Sequence, residues 1–199
     1  MISCFFVIVI HVTNYFCRAY GEITQSEYLF ALLLDTLARV SVPCFFMISG
    51  ALLLGREEPL KKHRERLLRF LIALVVWSVV YYIWNRAFMK TEYNLKEILY
   101  VPTEPHLWYL YAMIPIYMVL PFFQVMCKGM SRKLERTLLV VCGASVVFNY
   151  MVSLQNGEAY YDLPLVGDKV YMFYIFIGYF IYKYRSCLLY TSPSPRDTR

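Results

Sequence analysis

Residues 29–54 read LFALLLDTLARVSVPCFFMISGALLL, twenty-six positions that carry two charges, Asp35 and Arg39. As a helix rising 1.5 Å per residue, the stretch is about 39 Å long, enough to cross a hydrocarbon layer of roughly 30 Å. A helix on the surface of a water-soluble domain would alternate apolar and polar faces, and this one is apolar all round. Lipid is the solvent that such a surface needs.

Five further apolar stretches lie on either side of it, at about 2–17, 70–88, 107–127, 137–154 and 169–184. Together the six predict an all-α fold, a polytopic transmembrane helical bundle of about six transmembrane helices. Composition agrees: 59% of residues are hydrophobic and 17% are charged, against roughly a quarter charged in soluble domains. Mean hydropathy is +0.47. The first stretch begins at Met1 without the charged lead-in or small-residue cleavage site of a signal peptide, so it reads as a true span whose beginning is missing.

The net charge of +6 does not point to nucleic acid, because the basic residues cluster between apolar runs. Arg56, Lys61, Lys62, Arg64, Arg66 and Arg69 follow the second span. Lys128, Arg132, Lys133 and Arg136 follow the fourth, and Lys183 and Arg185 close the sixth. The alternate loops carry Glu22, Glu27, Glu92, Glu97, Glu104, Glu158 and Asp162. The positive-inside rule then predicts a multi-pass protein of the plasma membrane with a cytoplasmic N-terminus. Six cysteines (Cys4, Cys17, Cys44, Cys127, Cys142, Cys187) show no CxxC and no metal-type spacing. They read as small hydrophobes within apolar runs, with no metal site. Residues 186–199 break the pattern with a Ser/Pro/Arg-rich run and are read as a non-native-looking tail, outside the membrane-embedded domain of residues 1–185.

Ionisable groups inside a span are costly unless paired or facing a cavity, so they mark candidate sites. Three stand out: His11 in the first span, and Asp35 and Arg39 in the second. His11 and Asp35 each lie about six residues, or roughly 9 Å, below the same membrane boundary. A carboxylate bonded to one imidazole nitrogen would raise the basicity of the other, giving a general base with an orienting partner. Arg39, four residues on, shares a helix face with Asp35 and could neutralise it instead. By themselves these residues describe a polar site between helices, which an enzyme or a transporter could use. Pro43 and Gly50 predict a kink and a close helix approach. The run Lys61–Arg69 serves either as a topology anchor or as a dock for phosphates. His106 and Trp108 open the fourth span, where an aromatic belt accounts for Trp108.

The order of these features resembles the acyltransferase-3 family of bacterial inner-membrane O-acyltransferases. The residues that carry the likeness are His11, then Arg39-Val40-Ser41-Val42-Pro43 with Phe45-Phe46-Met47-Ile48-Ser49-Gly50, Arg66-Leu67-Leu68-Arg69, and His106-Leu107-Trp108-Tyr109-Leu110. The resemblance implies transfer of an acyl group, usually acetyl, from cytoplasmic acyl-CoA to a hydroxyl of a surface or exported glycan or its lipid-linked precursor. No bound cofactor is implied; acyl-CoA is a co-substrate. His11 would be catalytic with Asp35 beside it, and Arg66 and Arg69, with Lys61, Lys62 and Arg64, would hold the donor. Arg39, Ser49, Gly50, His106 and Trp108 are the other motif positions. The family pattern also has an arginine eleven residues before the histidine, just ahead of Met1, and about ten spans. The chain is therefore expected to be incomplete at both ends, with activity belonging to the full-length parent. The competing functions are a transporter of a small solute or glycolipid and a scaffold without chemistry.

Overall fold

The computed structural model describes residues 2–56, 58–89, 101–155 and 171–185. They form helices α1 (Ile2–Arg18), α2 (Gln25–Ala38), α3 (Ser41–Leu53), α4 (Leu60–Trp84), α5 (Trp108–Gly129), α6 (Arg132–Leu154) and α7 (Tyr171–Lys183). A π-helical turn (Asn85–Met89) extends α4, and a 3-10 turn (Pro105–Leu107) leads into α5. The described residues contain no strand. The all-α membrane bundle expected from the sequence is the fold observed.

Among the described residues, four helical stretches are long and apolar enough to cross a membrane: Gln25–Leu53, Leu60–Met89, Pro105–Gly129 and Arg132–Leu154. α1 is apolar but has 17 residues, and α7 has 13. Glu92, Glu97, Glu158, Asp162, Cys187 and the tail from 186 lie outside the described residues. The outward stripe of α4 shows what these helices face. Ile72, Val75, Val76, Val79, Val80 and Ile83 are all exposed, at spacings that keep them on one side of the helix. Water would penalise such a stripe and lipid does not.

The chain divides into two compact units, Met1–Gly55 with Cys127–Arg199, and Arg56–Met126. In the first, α1 and α2 lie against each other after a short turn in which Gly21 adopts φ +92°. Thr24 then starts α2 with a capping box: its hydroxyl accepts from the Glu27 amide, and the Glu27 carboxylate accepts from the Thr24 amide at 3.1 Å. The reciprocal pair satisfies two amides that the first turn leaves without helical partners.

The second predicted span is one 29-residue stretch with a joint at Arg39–Val40. Pro43 explains the joint. It has no amide to donate to the carbonyl of Arg39, and its ring crowds that carbonyl. The Val42 amide donates to Arg39 O across three residues instead, at 3.3 Å, and the Cys44 amide returns to helical pairing with Val40 O at 3.2 Å.

Beyond the joint, α3 crosses α7 at very short range. A Cβ placed on Gly50 would collide with the Ile175 backbone, and one on Gly178 with the Met47 backbone. Each helix thus offers a glycine to the other's main chain, the small-residue packing that membrane helices use. Phe46 stacks on Tyr171 with ring centroids 4.4 Å apart beside the crossing, and Phe46, Ile175 and Phe176 form the buried core there. Cys127 and Cys142 are buried in the same unit, as expected of small hydrophobes.

In the second unit, α4 begins ten residues before the apolar run expected at 70, so the basic segment forms its first turns. Large side chains join α4 to the region of α5: Phe70 to Tyr117 at 4.7 Å, Tyr81 to His106 at 4.9 Å, and Asn85 Nδ2 donating to Glu104 Oε1 at 2.9 Å. Pro115 and Pro121 lie inside α5 without ending it, as membrane helices tolerate.

Candidate active site

Two groups of polar residues, one in each unit, hold most of the site positions expected from the sequence. The first is a polar cluster between α1 and α2. Asp35 is 4% exposed although it carries a carboxylate. Arg39, one turn later, donates from Nε to Asp35 Oδ2 at 2.6 Å while its own side chain stays 66% exposed. The arginine thus neutralises the buried acid while most of its own side chain is uncovered by protein. Thr13 of α1 approaches the other carboxylate oxygen at 3.2 Å. Its single hydroxyl hydrogen is shared with Val9 O at 2.8 Å and Ile10 O at 3.3 Å, which leaves Arg39 as the stronger partner of Asp35.

His11 is half-buried, near the middle of α1. It precedes Thr13 by two residues, about 200° around a helix, and so leaves α1 from roughly the opposite side. Among the described residues, Asp35 bonds to Thr13 and Arg39. The i,i+4 spacing read from the sequence is the one that joins Asp35 to Arg39.

The second group is the basic end of α4. Lys61, Lys62, Arg64 and Arg69 are exposed, whereas His63 and Arg66 turn inward along the stripe that continues through Phe70. The Arg66 guanidinium holds Glu58 through a hydrogen bond from Nη2 to Oε1 at 2.9 Å, with Nη1 in ion-pair contact 2.6 Å from Oε2. The hydrogen bond from Arg66, with the charge beside it, keeps the Glu58 carboxyl below the usual carboxylate range. Arg56 adds a longer contact at 3.7 Å. Arg66 and Arg69, grouped by sequence, thus differ: Arg66 is clamped and partly covered, and Arg69 is open.

His63 was not singled out from the sequence. It is 5% exposed, and neither ring nitrogen has a hydrogen-bond partner among the described residues. Its one signal was position, three residues before Arg66 on the same face. Thr13 and Glu58 were also missed, since a lone Thr in an apolar run and a lone Glu beside a basic run carry no distinctive pattern. Of the remaining motif positions, Gly50 forms the α3–α7 crossing and Ser49 lies half-buried next to it. His106 packs edge-on against Tyr81, and Trp108 lies 6.0 Å from Tyr109.

Residues 1–186 match the acyltransferase-3 family model, which is described as an acyltransferase domain. The chain belongs to the acyltransferase-3 family. No curated protein and no solved structure matches it. The match covers both groups of residues, so the cluster at Asp35 and the clamp at Arg66 are features of one acyltransferase-3 domain.

Proposed function

We propose that this protein is a membrane-bound O-acyltransferase that moves an acyl group, acetyl by family analogy, from acyl-CoA to a hydroxyl of a cell-surface or exported glycan or its lipid-linked precursor. The family match over residues 1–186 carries the reading. A histidine in the apolar helix α1 and a cluster of cations at a helix end support it, because the reaction needs both a base and an anion dock.

In this mechanism His11 takes the proton of the acceptor hydroxyl. The hydroxyl oxygen attacks the thioester carbonyl, the C–S bond breaks as the ester forms, and the CoA thiolate leaves and is protonated. Arg66 and Arg69, with Lys61, Lys62 and Arg64, hold the CoA phosphates. Arg66 does so by exchanging or sharing its bond to Glu58, whereas the exposed cations attract the donor at longer range. Asp35 acts as a positioning residue: with Arg39 and Thr13 it fixes α1 against α2, and so fixes the helix that carries His11. The basic helix ends define the cytoplasmic side of the inner membrane.

The test uses membranes that contain the protein and labelled acetyl-CoA. Label is expected to appear on glycan or its lipid-linked precursor, and His11→Ala is expected to abolish it with expression unchanged. Uptake of solute without label transfer would overturn the reading in favour of a transporter.

A further inference from the structure

The basic end of the α6–α7 pair holds a cleft of about 190 Å³ lined by Arg132, Glu135, Arg136, Leu139, Phe180 and Tyr184. None of these residues serves the acyl-transfer reading. Arg132 and Arg136 are both exposed and lie one turn apart on the same face of α6. The cleft also contains a carboxylate, which would ordinarily repel an anion. Here Glu135 is buried and already bonded twice, by Lys183 Nζ and by the Tyr184 hydroxyl, which donates at 2.5 Å. Its charge is matched by Lys183, so the two guanidiniums set the sign of the cleft. Arg132 lies over the Tyr184 ring, 5.3 Å from its centroid, an arrangement that leaves guanidinium N–H groups at the edge available.

Leu139 and Phe180 form the apolar part of the lining. A pair of guanidiniums beside apolar side chains, at the end of a helix long enough to cross a membrane, matches one kind of ligand. We propose that this cleft binds the headgroup phosphate of an anionic phospholipid, with Arg132 and Arg136 on the phosphate oxygens and the first methylenes of an acyl chain over Leu139 and Phe180. Inorganic phosphate offers the same charge, yet it would leave the apolar side chains uncovered.

Native mass spectrometry of the detergent-solubilised protein tests this with phosphatidylglycerol, phosphatidylcholine and inorganic phosphate as probes. One phosphatidylglycerol per chain is expected to be retained in preference to phosphatidylcholine. Arg136→Gln is expected to weaken that retention about fivefold, and Arg132→Gln with Arg136→Gln about 25-fold, on the scale of surface arginines near anionic lipid. Both side chains are exposed, so an unchanged thermal midpoint should accompany the loss. Should the double glutamine variant fail to fold, Arg132→Lys with Arg136→Lys replaces it; charge without the bidentate fork is expected to bind more weakly than wild type. Equal retention of the two lipids, or retention unaltered in the arginine variants, would overturn the proposal. Displacement of the lipid by millimolar inorganic phosphate would overturn it as well, by making this a site for a free anion.

Discussion

The two ion pairs of the candidate site are asymmetric, and the asymmetry decides what substitution does. Asp35 is buried while the Arg39 side chain is largely uncovered by protein. Removing the arginine strands a buried carboxylate without its countercharge, whereas removing the acid leaves an uncovered cation whose long side chain can reorient. Arg39→Gln is therefore expected to destabilise the protein by about 3 kcal/mol, and Asp35→Asn by about 1 kcal/mol. Thermal unfolding in detergent checks the order. At the other pair, Arg66 lowers the Glu58 pKa in the folded protein. The stabilisation from this carboxylate is complete above its ordinary range and is lost as pH falls through the lowered value. Wild type is thus expected to lose stability between about pH 5 and pH 3 more steeply than Glu58→Gln, as followed by circular dichroism. Glu58→Gln should also free Arg66 and, on the proposed function, lower the KM for acyl-CoA. His63→Leu is expected to hold or raise stability by about 1 kcal/mol, because a buried ring without partners is exchanged for an apolar group; a lower melting midpoint would contradict that. The i,i+4 relation of Asp35 and Arg39 was legible in the sequence because helical spacing fixes it. The bonds to Thr13 and Glu58 were not, since contacts between helices and through a loop depend on how the segments pack.

Among the helices, the α3–α7 crossing constrains the sequence most tightly. Both glycines approach backbone atoms, which cannot rotate aside as a side chain could. Gly50→Ala or Gly178→Ala is expected to cost about 1–3 kcal/mol or to shift the helices apart, seen as a fall in melting midpoint and faster proteolysis. Ser49→Ala, next to the crossing, serves as the control with little change expected. The sequence announced half of this arrangement. Pro43 and Gly50 predicted a kink and a close approach, and both are present. The partner glycine could not be read, because Gly178 has no sequence relation to Gly50 that periodicity could reveal. The start of α4 was also misplaced by hydropathy alone. The charged residues from Lys61 to Arg69 favour helix about as well as many apolar ones, so the helix begins at Leu60 and its cations form the first turns.

For the molecule as a whole, hydropathy identified the membrane-crossing segments because lipid imposes a length and a composition on each. It gave less at α1 and α7, which are shorter than the four stretches of crossing length. The sidedness proposed from Arg and Lys placement can be checked by labelling. A cysteine at Lys133 is expected to react with a membrane-impermeant maleimide only after cells are opened, and one at Glu22 to react in intact cells.

The Gly50–Gly178 crossing also has a consequence in time. The two residues are 178 − 50 = 128 positions apart, so a ribosome working at 5–20 residues per second needs about 6 to 26 s to travel from one to the other. During that interval the glycine face of α3 is already made and has no mate. Lipid, or a chaperone of the insertion machinery, must occupy the notch until α7 arrives.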